Sequence, residues 1–236
     1  MEVCNKQIKQ GELQMKYKIE RVKRFSKLRI LEHFAHIIIF LIMFVTGFSQ
    51  KYSNLDMSIW FISKVGGNEN VYIIHHIFGV IFIILFVIHI FISVTGVTLY
   101  KWKPTMLISY DDFRNLVDDL RYFLGIKNIP AKCGRYNYKQ KFQYWSVFIC
   151  TLIMIISGLV MLYPFFFTHF LPGQIIPLAR LIHTNQFIIF YIIALWHLYD
   201  NVFSPEALPL DTSIFTGYIS KERMSKEHPL EENAVK

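Results

Sequence analysis

Four long apolar runs, separated by polar stretches, set the pattern of this chain. They cover residues 30–48, 72–100, 142–167 and 177–203. A helix needs about 20 apolar residues to cross the hydrocarbon core of a bilayer, and each run supplies enough. None carries a central Lys, Arg, Asp or Glu, and Tyr and Trp gather near several of the ends, as interfacial anchors do. The pattern predicts an all-α integral membrane protein, a four-helix transmembrane bundle. A basic N-terminal tail (1–28) precedes the membrane domain (29–203), and a second tail (204–236) follows it. Between the second and third runs, Phe113, Leu116, Val117, Leu120, Phe123 and Leu124 recur at helical spacing. They predict a surface helix over 111–124, lying on membrane lipid, with Asp111 or Asp112 near its N-cap.

Composition agrees with this division. Apolar residues make up 53% of the chain and charged residues only 18%, and the charge sits in loops and tails. The net charge of +8 does not point to nucleic acid, because the basic residues flank apolar spans instead of covering a polar domain. They are also distributed unevenly. Both tails are rich in Lys and Arg, and the middle connection holds nine, from Lys101 to Lys141. The first connection has only Lys51 and Lys64, and the third only Arg180. By the positive-inside rule, the N- and C-termini and the middle loop are cytoplasmic. The first 28 residues contain no apolar core of a signal peptide, so the first span is expected to stay as an anchor. Cys4, Cys133 and Cys150 form no C-x-x-C or C-x-x-C-H, which argues against a disulfide scaffold, a zinc site and covalently attached haem.

The candidate chemistry lies in histidines. The spans hold His33, His36, His75, His76, His89, His183 and His197. A neutral imidazole ligates haem iron in a low-dielectric interior without a counter-ion. His75 and His89 are fourteen residues apart, as are His183 and His197. That spacing returns to within about 40° of the same helix face and rises about 21 Å. The second and fourth spans run in the same direction, so His75 and His183 lie at one depth, and His89 and His197 at another. Two stacked haem sites are expected. His33 lies at a depth similar to His197, and spacing alone leaves the inner partner open between His33 and His89. His36 reads as a packing residue or a contact to a haem propionate, and His76 points away from His75. His169 and His228, in polar segments, are expected to be solvated. A proton relay or metal pathway fits less well, because the spans lack the carboxylates such paths use. A haem-free anchor or transporter is the alternative of another class.

One family resemblance covers roughly 24–229. Its most specific stretches are CGRYNYKQKFQYWSVF (133–148) and ISGLVMLYPFF (156–166), with RILEHF (29–34), IHHIFGV (74–80), RLIH (180–183), WHLY (196–199) and TGYISKERMSKEHP (216–229) in support. The chain resembles the cytochrome b (gamma) subunit of membrane-bound formate dehydrogenases, related to nickel–iron hydrogenase cytochrome b. The resemblance implies two haem b groups, the outer on His75 and His183 and the inner on His33 and His197. It implies an iron–sulfur subunit and a catalytic subunit as partners, facing the periplasm from a bacterial or archaeal cytoplasmic membrane. It also implies a menaquinone or ubiquinone pocket near the cytoplasmic face, with Asn137 and Gln140 beside His197. Such a chain is a respiratory electron-transport subunit with no substrate-oxidising site of its own. It departs from the family pattern at His89, where the best-known members have an apolar residue, and over 202–211. Hydrogenase, thiosulfate reductase or a multihaem cytochrome c complex are the alternative partners.

Overall fold

The computed structural model describes residues 20–204, 207–208 and 210–231. Cys4, the N-terminal lysines up to Lys18, Pro205, Glu206, Pro209 and Lys236 lie outside the described residues. In chain order the elements are β1 (Arg21–Lys23), α1 (Lys27–Lys51), α2 (Asp56–Val65), α3 (Asn68–Thr98), α4 (Tyr110–Phe123), α5 (Tyr138–Leu162), α6 (Pro164–Thr168), α7 (Ile175–Leu198), α8 (Ser213–Thr216), β2 (Tyr218–Ser220) and α9 (Lys221–Glu227). α7 continues into a π-helical turn, Tyr199–Phe203.

Helices α1, α3, α5 and α7 are long and apolar enough to cross a membrane. They form the larger of two compact units, residues 31–107 and 139–208. Little of their apolar surface turns inward: Leu31, Ile38, Leu41, Val87, Phe91, Ile156 and Ile192 are all more than half exposed. In water each such side chain would forgo about 1.5–3 kcal/mol of burial, so this surface suits a lipid solvent. The few fully buried side chains are small or polar. They include Thr46, Ser58, Gln143 and Ser157, and hydrogen bonds within the bundle satisfy most of them. Aromatic rings join α1 to α7, with Phe44 stacked on Tyr191 at 4.6 Å and Phe40 against Phe190 at 5.1 Å. Phe86 and Phe148 join α3 to α5 at 5.1 Å. Trp102 folds back over Gly96, where an added Cβ would collide with the indole.

The smaller unit comprises, among the described residues, 20–30, 108–138 and 210–231. β1 and β2 pair antiparallel, Val22 opposite Ile219, and Ile219 and Met224 form its small core. Arg135 bonds to Glu231 at 2.9 Å, and Leu230 N–H donates to the Cys133 carbonyl. His228, expected in solvent, is only 2% exposed. Its Nδ1–H donates to the Gly134 carbonyl at 2.7 Å, and burial pulls its pKa below 6.5. A polar neighbourhood in sequence concealed this, because the burial comes from a segment some ninety residues earlier in the chain.

The surface helix forms one residue earlier than the spacing suggested. Ser109 is the residue before α4, and Asp112 sits in the first turn, accepting from Ser109 N–H at 2.7 Å and from its hydroxyl at 3.0 Å. Asp111 and Asp112 thus lie near the N-cap as expected, and Asp112 closes a capping box with Ser109.

Candidate functional site

The histidines of the helical unit fall at two levels. We call the end where α1 begins proximal and the end where it finishes distal. His75, early in α3, faces His183, early in α7, with ring centroids 6.4 Å apart and planes at 79°. Late in α1 and α5, Thr46 and Ser157 back these rings. His75 Nδ1 lies 2.9 Å from the Thr46 hydroxyl, and His183 Nδ1 lies 2.9 Å from the Ser157 hydroxyl. Each hydroxyl is followed by a glycine. A Cβ at Gly47 would stand 3.3 Å from His75 Cε1, and one at Gly158 would stand 3.4 Å from His183 Cε1.

At the proximal level, His33 on α1 faces His197 on α7, again at 6.4 Å, with planes at 57°. His197 Nδ1–H donates to Gln143 Oε1 at 3.1 Å, and Gln143 Nε2 donates to Asp200 Oδ2 at 2.5 Å. Asn201 Nδ2 also approaches His197 Nδ1, at 3.3 Å. Asp200 and Asn201 lie on the π-helical turn, a local widening that often marks functional positions. His33 Nδ1 is buried without a hydrogen-bond partner. Of the residues expected around quinone, Gln140 lies on α5 one turn before Gln143, whereas Asn137 belongs to the smaller unit.

His89 is brought to a different place. Its Nδ1–H donates to Glu32 Oε1 at 2.6 Å, and its Nε2 accepts from the Tyr144 hydroxyl at 2.9 Å. Both ring nitrogens are therefore engaged, and no lone pair is left for a metal. The spans do contain a carboxylate, then: Glu32, in the first turns of α1, accepts a hydrogen bond from His89 on α3. An unpaired carboxylate there would cost several kcal/mol. His36 stands 6.2 Å from His89, and its Nδ1 bonds to the Glu32 carbonyl. His76 packs on Tyr72 at 3.8 Å, away from His75.

The donor sets suit haem iron. An imidazole–metal bond is about 2 Å, so two rings facing across one ion have centroids about 6 Å apart. Ordinary aromatic contacts span that distance too, so the nitrogens carry the distinction. At the distal level both Nδ1 atoms are spoken for, and both Nε2 atoms are left. Among the described residues no group of three or more His, Cys, Asp or Glu gathers to hold an ion. Pairs of imidazoles are what an iron needs when a porphyrin fills its other four positions.

Four membrane-crossing helices with imidazoles paired at two depths define a haem-binding type of membrane protein. The chain belongs to the prokaryotic cytochrome b561 family, whose model matches residues 24–207. It is 25% identical over 198 residues to the nitrate-inducible formate dehydrogenase cytochrome b556(Fdn) subunit of Escherichia coli K12, spanning 84% of this chain and 83% of that one. It is 20% identical over 215 residues to the cytochrome b556(fdo) subunit of formate dehydrogenase from the same strain, spanning 89% and 91%. The resemblance read from the motifs is thereby supported, and the chain is a cytochrome b561-type multi-pass membrane protein of electron transfer.

Sequence reading did not single out Thr46, Ser157, Gln143, Asp200 or Glu32. A signal existed for the first two. Thr46-Gly47 and Ser157-Gly158 repeat a hydroxyl–glycine pair late in spans one and three, at the depth of His75 and His183. No comparable pattern marks Gln143 or Asp200, which meet only through the packing of α5 and α7.

Proposed function

We propose that this chain is the di-haem cytochrome b subunit of a periplasm-facing oxidoreductase, most naturally a formate dehydrogenase, exchanging electrons with the quinone pool. His75 and His183 would hold one haem b, and His33 and His197 a second. When bound, haem b supplies a one-electron iron couple. The repeated 6.4 Å imidazole pair at two depths of one bundle carries this reading. The positive-inside bias supports placing the proximal level at the cytoplasmic face of a bacterial or archaeal membrane.

The chain's own residues have distinct tasks in this scheme. The spans keep water from the imidazoles. Gln143 holds the orientation of His197 and links it to Asp200. Gln140, at the start of α5, offers an amide group that hydrogen-bonds a quinone carbonyl without adding charge. Iron–sulfur and catalytic subunits, such as those of a formate dehydrogenase, would dock at the distal, periplasmic side. Moving one electron against the membrane potential corresponds to about 2.3 kcal/mol per 100 mV, so the separation of the two levels lets the subunit contribute to energy conservation. The test is to purify the complex from membranes and measure haem b per chain and its reduction by formate, then its reoxidation by quinone. Two haems per chain and both reactions are expected. An assembled complex without haem would overturn the reading.

A further inference from the structure

We propose that Thr46 and Ser157 are positioning residues for the distal haem, each presetting the tautomer, direction and electron density of one axial imidazole. The inference rests on the assignment of that haem to His75 and His183, and concerns how those ligands are held.

A hydroxyl has one proton. Thr46 Oγ1 lies 2.7 Å from the Ile42 carbonyl one turn back, and Ser157 Oγ lies 2.7 Å from the Ile153 carbonyl. Each hydroxyl proton is thus committed to its own helix, and the oxygen presents a lone pair to the imidazole 2.9 Å away. The only proton left for that hydrogen bond is on Nδ1 of the histidine. Both rings are therefore held as the Nδ1–H form, with Nε2 unprotonated and able to bind a metal. Had the hydroxyls donated to Nδ1, both Nε2 atoms would carry hydrogen and neither could ligate.

The two hydroxyls are 2% and 4% exposed as residues, so water does not compete for these bonds. The glycines after them keep the backbone close enough for the contact. Since the Cβ of any other residue would meet Cε1 at 3.3–3.4 Å, a larger side chain would push the ring from its line. The arrangement arises twice, from different helix pairs: α1 onto α3, and α5 onto α7. A hydrogen bond from Nδ1–H raises the basicity of the ligating nitrogen, which favours ferric over ferrous iron. The hydroxyls thereby lower the distal potential, and the weak acceptor strength of an alcohol sets how far.

The experiment uses the intact complex in four forms: Thr46→Val, Ser157→Ala, Thr46→Ser and Ser157→Thr. Redox titration of the b-haem absorbance and low-temperature EPR are read on each. The expected result is an upward shift of the distal midpoint potential in Thr46→Val and Ser157→Ala, with a changed EPR g-value as the freed ring turns. The proximal haem should stay in place. Thr46→Ser and Ser157→Thr, which keep the hydroxyl, should return the wild-type potential. If Thr46→Val blocks assembly, Ser157→Ala, which removes a single atom, bears the test alone. Unchanged potential and EPR in Ser157→Ala would overturn the inference, as would hydroxyl-retaining variants that match the hydroxyl-free ones. Loss of the haem assignment itself would look different, with wild-type complex showing no distal haem at all.

Discussion

At the distal level both imidazoles have Nδ1 2.9 Å from a neutral hydroxyl on a buried helix back. At the proximal level one imidazole reaches a carboxylate through an amide, and the other has a buried Nδ1 with no partner. The ring spacing is the same at both, 6.4 Å. The distal surroundings are nearly symmetric, and the groups that meet the two Nδ1 atoms are uncharged. The proximal surroundings are asymmetric and include Asp200, Asn201 and the Glu32–His89–Tyr144 chain. A site that only passes electrons gains from a fixed, neutral frame, because reorganising charge there would slow transfer. A level that also meets quinone needs groups that can hydrogen-bond or exchange protons with it. On the proposed reading, this difference in polar company would separate the roles of two imidazole pairs that look alike in geometry.

The largest expected effect comes from removing a ligand. His75→Ala or His183→Ala should abolish the distal haem, halve the b-type absorbance and stop formate-to-quinone electron flow, while the proximal signal persists. Retention of two haems per chain in either variant would break the comparison at its root. Next, His33→Ala and His89→Ala should separate cleanly. The first should empty the proximal level and the second should keep both haems, since His89 is saturated by Glu32 and Tyr144. Haem counts after purification decide it, and the opposite pattern would pair α3 with α7 at both levels.

A smaller effect is expected from Gln143→Leu. It strands the His197 Nδ1–H and removes one donor from Asp200, a loss of about 1–3 kcal/mol for groups left unsatisfied. Thermal unfolding followed by release of haem absorbance should fall to lower temperature. The proximal potential should move while the distal one does not; equal movement of both would erase the contrast. Smallest is a pH effect confined to the unit outside the bundle. His228 has its folded pKa held below 6.5 by burial, so the unfolded state binds more protons there. Its contribution to stability is present above pH 6.5 and declines as pH falls toward the folded value. Limited proteolysis of that unit should speed up from pH 7 to pH 5, and His228→Gln, which carries no titrating group, should flatten the trend.

Much of this protein was legible before any packing was known. Membrane helices declare themselves in sequence because a bilayer core tolerates only apolar side chains on a self-satisfied backbone, and α1, α3, α5 and α7 follow the four runs. The fourteen-residue interval also carried real geometry, since it keeps two residues on one helix face whatever the neighbours are. His75 and His183 share a level because each lies early in a span that runs in the same direction. The same interval could not choose between His33 and His89, because a period within one helix says nothing about which neighbouring helix turns toward it. Tertiary packing brings Glu32 and Tyr144 to His89, which favours His33, and it also brings Thr46 to His75, Ser157 to His183 and Asp200 to Gln143. Those bonds join residues 26 to 57 positions apart. Hydropathy and periodicity are properties of a single segment and can be read along the chain, but a hydrogen-bond partner is decided by how separate segments meet.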